Sequence, residues 1–163
     1  MGSQADEFIS LTRHPVKFRI FLLTKIPSAF FSGLRIKQMD ENSCTTTIKY
    51  SWFTKNPFRS TYFACLGMAA EMSTGALAMA YIYKREPSVS MLVTKTEAIY
   101  SKKAVGITQF TCKDGELIRN SIEKAIATGE GQTIIVKSTG TNGAGETVAE
   151  FMITWSFKMR NRK

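Results

Sequence analysis

The sequence predicts an α+β fold in which a curved antiparallel sheet wraps around one long central helix. The first observation is the segment 59–85, the longest apolar run of the chain, which holds no proline, many alanines and methionines, and one central charge, Glu71. These residue types favour a helix, and a helix that is apolar on nearly every side is buried all round. The second observation is that the segments on both sides alternate with strand period, while too few helices remain to connect parallel strands.

A bilayer is the other environment that buries such a helix, because a membrane span needs about 20 apolar residues. Glu71 lies at the centre of the run beside Ser73 and Thr74, and a carboxylate in mid-bilayer is costly. We therefore expect a helix over about 60–83 inside a sheet. Ser60 or Thr61 is the expected N-cap.

Residues 1–32 are predicted to form a helical lead-in. A short amphipathic helix is expected over 6–13, and a second helix follows Pro15, with apolar residues at helical spacing: Val16, Ile20 and Leu23. Packing on the sheet or covering a pocket is expected of a further apolar group: Phe18, Phe21 and Leu22. Basic residues alternate with the apolar ones, which also suits a membrane surface.

Residues 33–159 form the predicted main domain, and 160–163 a basic tail. Strand patterns and turn residues predict six strands, over 34–39, 44–52, 90–100, 105–112, 132–138 and 147–159. A short helix is expected over 116–128, where Gly129 ends it.

The balance of 22 Lys+Arg against 13 Asp+Glu gives a formal net charge of +9, which favours anionic partners. Nucleic acid is not an expected partner, because no RNP-like aromatic motif or helix-turn-helix signature accompanies the charge. The three cysteines, Cys44, Cys65 and Cys112, form no CxxC or Cys/His metal pattern, and His14 is the single histidine. We expect buried thiols, a cytoplasmic location and no metal site.

A pattern of polar and small residues marks the start of the long helix: Asn56, Ser60-Thr61-Tyr62, Ala64, Cys65, Leu66 and Glu71. With this pattern the chain resembles the hot-dog-fold thioesterases of the phenylacetate-degradation type, particularly a branch of uncharacterised members. In that family the motif runs Asn, Gly-Thr, His, Ala and Glu. The order of strands is similar too, so the resemblance covers roughly 33–159.

The resemblance implies hydrolysis of acyl-CoA or acyl-carrier thioesters by a homodimer or a dimer of dimers. The implied site lies between the helix N-terminus of one protomer and the central-helix carboxylate of the other. The implied catalytic residues are Asn56, Tyr62 and Glu71, and the implied substrate contacts are Arg59, Ser60, Thr61, Cys65, Lys102 and Lys103. Coenzyme A enters as part of the substrate, so no separate cofactor is expected. Membrane contact is not expected either, because Glu71 interrupts the apolar run.

The chemistry of these residues fits that activity. Free N–H groups at a helix N-terminus stabilise an oxyanion, and a carboxylate in an apolar wall has a raised pKa and acts as a general base or attacks directly. A purely structural role is the alternative for Glu71, as a buried carboxylate bonded to a neighbouring Thr or Tyr.

The chain departs from the family at two positions. Arg59 replaces the usual glycine and can pair with a coenzyme A phosphate, and Tyr62 replaces the usual histidine and cannot shuttle protons at neutral pH. A non-catalytic acyl- or lipid-binding protein therefore stays open as a second function. Simple structural roles stay open as well, with Asn56 as a turn former, Tyr62 in packing, and Lys102-Lys103 as a solvated turn.

Overall fold

The computed structural model describes residues 4–160, in which three helices precede an antiparallel sheet that surrounds a fourth. The helices are α1 Gln4–Arg13, α2 Pro15–Lys25, α3 Pro27–Phe31, α4 Phe63–Ile82 and α5 Gly115–Thr128. The strands are β1 Arg35–Met39, β2 Cys44–Lys49, β3 Val89–Tyr100, β4 Ile107–Cys112, β5 Gln132–Thr141 and β6 Thr147–Met159. The predicted fold class is confirmed.

The six strands pair in the order β1-β2-β4-β5-β6-β3, and every pair is antiparallel. Four of the strands, β2, β4, β5 and β6, contact α4, so the sheet curves around that helix. Although α4 is long and apolar enough to cross a membrane by composition, it is the core helix of this domain. Buried hydrogen bonds tie it to the sheet: Thr46 Oγ1 donates to Ala69 O at 2.7 Å, and Trp155 Nε1 donates to Thr74 Oγ1 at 2.9 Å.

The start of α4 differs from the sequence prediction. The helix begins at Phe63 with Tyr62 as its N-cap, and no side chain caps it. The prediction of Ser60 or Thr61 as the cap is wrong, because both residues belong to the preceding loop. Ser60 bonds to Asn56 there, and the Thr61 N–H donates to Ala104 O at 2.8 Å. Other differences are small: β2 ends at Lys49, and α3 was not expected.

The two lead-in helices form as predicted, and α2 meets the domain through the apolar group that was expected to pack, Phe18, Phe21 and Leu22. Phe18 and Leu22 are buried against the domain. The three residues at helical spacing point outward, with exposed fractions of 61% for Val16, 56% for Ile20 and 43% for Leu23. α2 is therefore apolar on both faces, and only one of the two faces packs inside the protein.

The two edge strands of the sheet, β1 and β3, differ in whether another element covers them. β1 is short, carries a register shift, and is covered by α1, from which Arg13 donates to the Met39 carbonyl. β3 has 12 residues, and no strand among the described residues pairs with its outer edge. Its last seven residues, 94–100, are all exposed. A long open edge of this kind is normally paired or covered.

Candidate functional site

The Glu71 side chain lies at an apolar cavity of about 430 Å³ between α4, β3 and the lead-in helices. Lys25 also lines the cavity, but most of the lining is apolar: Phe8, Phe18, Phe21, Ile26, Met72, Met79, Tyr83 and Met91. The rings of Phe8 and Phe21 meet edge to face with centroids 6.0 Å apart, and Phe18 stacks on Phe21. The lead-in therefore supplies part of the cavity wall, which agrees with one of the two roles expected for its apolar face.

The Glu71 carboxyl group has no hydrogen-bond partner among residues 4–160; Thr74 bonds only to its backbone carbonyl. Burial without a compensating partner disfavours the charged form and raises the pKa of Glu71 from its ordinary 4.5 to about 7. The purely structural role, a carboxylate bonded to a neighbouring Thr or Tyr, finds no support in this geometry. A carboxyl group of this pKa exchanges a proton readily near neutral pH.

Gly75 is a residue of this site that sequence reasoning missed. A Cβ atom at Gly75 would lie 2.8 Å from Glu71 Oε1 and 3.3 Å from the Trp155 ring. Because residue 75 has no side chain, the Glu71 carboxyl group can lie over the next turn of the helix. The signal in the sequence was a glycine four residues after the acid, on the same helix face.

A second depression, of about 650 Å³, opens at the N-terminus of α4. Its lining includes most of the polar residues that were singled out from the sequence: Asn56, Ser60, Thr61, Tyr62, Lys102 and Lys103. The Tyr62 N–H donates to Thr54 O at 2.7 Å. Within residues 4–160 the next two amides, of Phe63 and Ala64, have no acceptor. Such free amides at a helix start are a ready site for negative charge.

The Asn56 side chain organises the loop that leads into α4. Its Oδ1 accepts from the Phe58 N–H at 2.9 Å and the Ser60 N–H at 3.2 Å, and its Nδ2 donates to Ser60 Oγ at 3.0 Å. These bonds suit a turn former. Arg59 lies in this loop with a positive φ of 59°, a conformation that glycine adopts without strain. The backbone conformation at position 59 therefore suits the glycine that Arg59 replaces relative to the resembled family.

Tyr62, predicted as catalytic, and the remaining predicted substrate contacts occupy different places. Tyr62 is 45% exposed, its ring packs edge-on against Phe63 at 4.9 Å, and its hydroxyl has no partner among the described residues. Thr61 Oγ1 is buried and also lacks a partner there. Lys102 forms an ion pair with Glu146, and Lys103 donates to Phe58 O at 3.4 Å. Cys65 is buried outside both cavities, and burial raises the pKa of its thiol.

The two cavities are separated along one helix. At about 1.5 Å per residue, Phe63 and Glu71 lie about 12 Å apart, so one carbonyl group cannot contact both in the same chain. A strip of incompletely buried residues connects the two cavities along the first half of the helix: Phe63, Ala64, Gly67, Met68 and Glu71.

A long apolar helix inside a six-stranded antiparallel sheet defines the hot-dog class of proteins, and solved structures bear this out. A probable thioesterase of unknown function from Pseudomonas aeruginosa has a TM-score of 0.76 at 21% identity, covering 90% of this chain and 97% of its own. A putative thioesterase from Shewanella oneidensis has a TM-score of 0.72 at 8% identity, covering 95% and 99%. A Haemophilus influenzae thioesterase has 0.62 at 13%, covering 86% and 88%.

The family model described as a domain of unknown function (DUF4442) matches residues 16–157, so the chain belongs to this family. No curated protein matches the chain. These comparisons establish the hot-dog fold, while the phenylacetate-degradation type stays a prediction.

Proposed function

We propose that the protein hydrolyses acyl thioesters of coenzyme A or an acyl carrier at two equivalent sites that form across a twofold homodimer. The observation that carries the proposal is the Glu71 carboxyl group, which lies in an apolar cavity without a partner among the described residues and has a pKa of about 7. Groups of perturbed pKa in a cleft are candidates for acid–base catalysis.

The second half of the site is the start of α4. The unpaired N–H groups of Phe63 and Ala64 are suited to the carbonyl oxygen as it becomes an oxyanion. The exposed side chains of Lys102 and Lys103 at the rim of the same depression suit the phosphates of coenzyme A, as does Arg59 in the adjoining loop.

Dimerisation would bring the two halves together. In a twofold arrangement of antiparallel α4 helices that cross at Gly67, residue 63 of each copy lies beside residue 71 of the other. Gly67 leaves the partially exposed strip of α4 without a side chain at its centre, which permits close approach. The open edge of β3 supplies a continuous surface for the same contact, because the edge strands of two copies can pair. A further pairing into a dimer of dimers is compatible with this arrangement.

The reaction follows from these groups. The ionised Glu71 carboxylate accepts a proton from a water molecule, and the water oxygen forms a bond to the thioester carbonyl carbon. The negative charge moves to the carbonyl oxygen, next to the Phe63 and Ala64 amides. When the tetrahedral intermediate collapses, the C–S bond breaks and the sulfur leaves with the proton that Glu71 received, which gives the free acid and the thiol.

Hydrolysis of a panel of acyl-CoA thioesters tests the proposal, with Glu71→Gln as the critical variant. Glutamine keeps the size of the side chain and removes the base, so turnover should fall about 10²–10⁴-fold. Glu130→Gln, at an exposed glutamate after α5, is the matched control and should leave turnover unchanged. Wild-type turnover in Glu71→Gln would refute the role of Glu71.

Tyr62 supports a second candidate, acyl or lipid binding without hydrolysis. Its phenol replaces an acid–base residue, and its ring packs on Phe63 with no polar partner among the described residues. In that case the wild-type protein binds acyl-CoA at equilibrium, and no member of the panel is turned over above background.

A further inference from the structure

Helix α2 has two apolar faces, and only one of them is used inside the protein. Phe18 and Leu22 are buried, and Phe21 is half-buried at the Glu71 cavity. On the other side, Val16, Ile20 and Leu23 are 61%, 56% and 43% exposed. With 3.6 residues per turn, these three side chains fall within about 60° of arc. They form a continuous apolar strip, which we call the outer face of α2.

The charged residues of the segment that carries this strip are all basic. Residues 8–39 contain no Asp or Glu, and they contain six basic residues: Arg13, Lys17, Arg19, Lys25, Arg35 and Lys37. Arg19 is engaged within the protein, where its guanidinium lies 4.0 Å over the Phe30 ring and donates to the Phe30 carbonyl. The other five are exposed. On α2 itself, Lys17 and Lys25 are the exposed cations, and α2 carries no carboxylate. Of the neighbouring carboxylates, Glu7 shares a depression with Lys17 but forms an ion pair with Lys84, and Glu71 shares its apolar cavity with Lys25.

We propose that the outer face of α2 docks on the surface of an anionic lipid bilayer. In this arrangement Val16, Ile20 and Leu23 enter the boundary between headgroups and acyl chains, while Lys17 and Lys25 contact lipid phosphates. The apolar strip and the basic residues act together, because burial of apolar area and electrostatic attraction to anionic lipids add in interfacial binding.

A second copy of the chain fits this face less well. A twofold contact between two α2 helices would set the same basic residues against each other, and this segment has no acidic residue to compensate. An anionic bilayer suits both features, because its acyl chains accept the apolar strip and its headgroups attract the basic residues. The same helix forms part of the Glu71 cavity through Phe18 and Phe21, so docking would bring a wall of that cavity close to the lipid.

Vesicle flotation with the full chain tests docking. The wild-type protein should float with vesicles of phosphatidylcholine and phosphatidylglycerol and remain free with phosphatidylcholine alone, and added salt should weaken the binding. The double variant Val16→Ser/Ile20→Ser should lose roughly tenfold or more in partition, since two apolar side chains no longer enter the interface.

The matched control is Leu117→Ser/Ile135→Ser, which changes two residues of similar exposure, 46% and 55%, on α5 and β5. It should partition like the wild type, and thermal melts should show that both double variants are folded. Because the outer face does not line the Glu71 cavity, Val16→Ser/Ile20→Ser should retain any hydrolysis of soluble short-chain acyl-CoA. A failure of docking is thereby distinguished from a failure of the proposed hydrolysis.

Three results would overturn the proposal. The first is wild-type protein that binds anionic and zwitterionic vesicles equally well, or binds neither. The second is equal binding of the two double variants to anionic vesicles. The third is a change in the oligomeric state of Val16→Ser/Ile20→Ser by light scattering with unchanged vesicle binding, which would make the outer face an interface between copies.

Discussion

The two cavities along α4 offer different chemistry. The cavity around Glu71 is apolar and walled by aromatic rings, whereas the depression at the helix start is open, with free amides and two lysines. Apolar surroundings raise the pKa of a carboxyl group such as that of Glu71. A solvent-exposed rim with lysines attracts an anionic group such as the phosphates of coenzyme A. Under the proposed function each cavity would supply half of a hydrolytic site, and about 12 Å of helix keeps the two halves apart in one chain.

Mixing two inactive variants gives the largest expected effect. Glu71→Gln removes the base and Phe63→Pro removes an amide donor, so each parent protein should be strongly impaired. If a site combines Glu71 of one copy with the helix start of the other, a hybrid dimer keeps one intact site. Equal mixing after subunit exchange should then recover about a quarter of wild-type turnover, because half of the dimers are hybrids with one of two sites.

No recovery in mixtures that light scattering shows to have exchanged would mean that Glu71 and the helix start do not form one site across the dimer. A monomer at micromolar concentration would contradict the dimer itself.

Phe63→Pro compared with Phe63→Ala isolates the amide. Both variants lose the ring, but only proline loses the N–H. Proline suits this first helical position because Tyr62 before it is extended, with φ −60° and ψ 134°. Removing an oxyanion donor should lower turnover about 10²–10³-fold. Equal turnover of the two variants would exclude the Phe63 amide from the site.

The pH dependence of stability should report on the Glu71 cavity. Between pH 4.5 and about 7 the folded protein keeps a proton on Glu71 that the unfolded chain has released. The free energy of unfolding should therefore fall as pH rises through this window, by roughly 3 kcal/mol from this group, and level off above it. In Glu71→Gln this contribution should vanish, so the variant should be more stable than wild type above about pH 7.

Denaturant unfolding at a series of pH values checks this expectation. A difference between the two proteins that does not change with pH would mean that the Glu71 pKa is not raised. Turnover should rise across the same range, because only the ionised carboxylate accepts a proton.

Tyr62→His tests the helix-start depression. If the site is catalytic, an imidazole at this position adds a group that exchanges protons near neutral pH. Turnover of short or aryl acyl-CoA substrates should then rise about tenfold, a partial share of what a positioned acid–base group contributes. Turnover that stays at background, with only ligand affinity changed, would favour the binding protein.

Arg59→Ala should have the smallest effect. If Arg59 contacts coenzyme A phosphates, affinity for acyl-CoA should drop up to about tenfold, while affinity for the bare acyl acid stays the same. Arg59→Gly serves as the comparison, since it removes the charge and also relieves the positive φ. Calorimetric titration with both ligands measures the difference. An equal change for both would return Arg59 to an ordinary surface charge.

Much of the fold was accessible from the sequence because it depends on local pattern. The alanine- and methionine-rich segment could only be a buried helix, and the alternation in Thr147–Met159 agrees with β6 as observed. Glu71 was predicted to lie in an apolar wall with a raised pKa, because no other charge lies near it in the helix. The structure agrees with this placement.

Other features depended on partners that are distant in sequence. The Ser60 and Thr61 hydroxyls suggested a helix cap, but contacts with Asn56 and Ala104 hold these residues in the loop. The Glu71 carboxyl group comes to lie over Gly75 and beside the lead-in rings only when α1 packs on α4 and α2 packs on α1.

By itself the sequence determined most of the helices and strands and the apolar surroundings of Glu71, because periodicity and residue type act over a few neighbouring residues. The tertiary structure alone decided that the second apolar face of α2 stays exposed and that Glu71 and the helix start open into separate cavities. Those outcomes depend on which surfaces meet, and a helix that is apolar on both faces has no local preference between them.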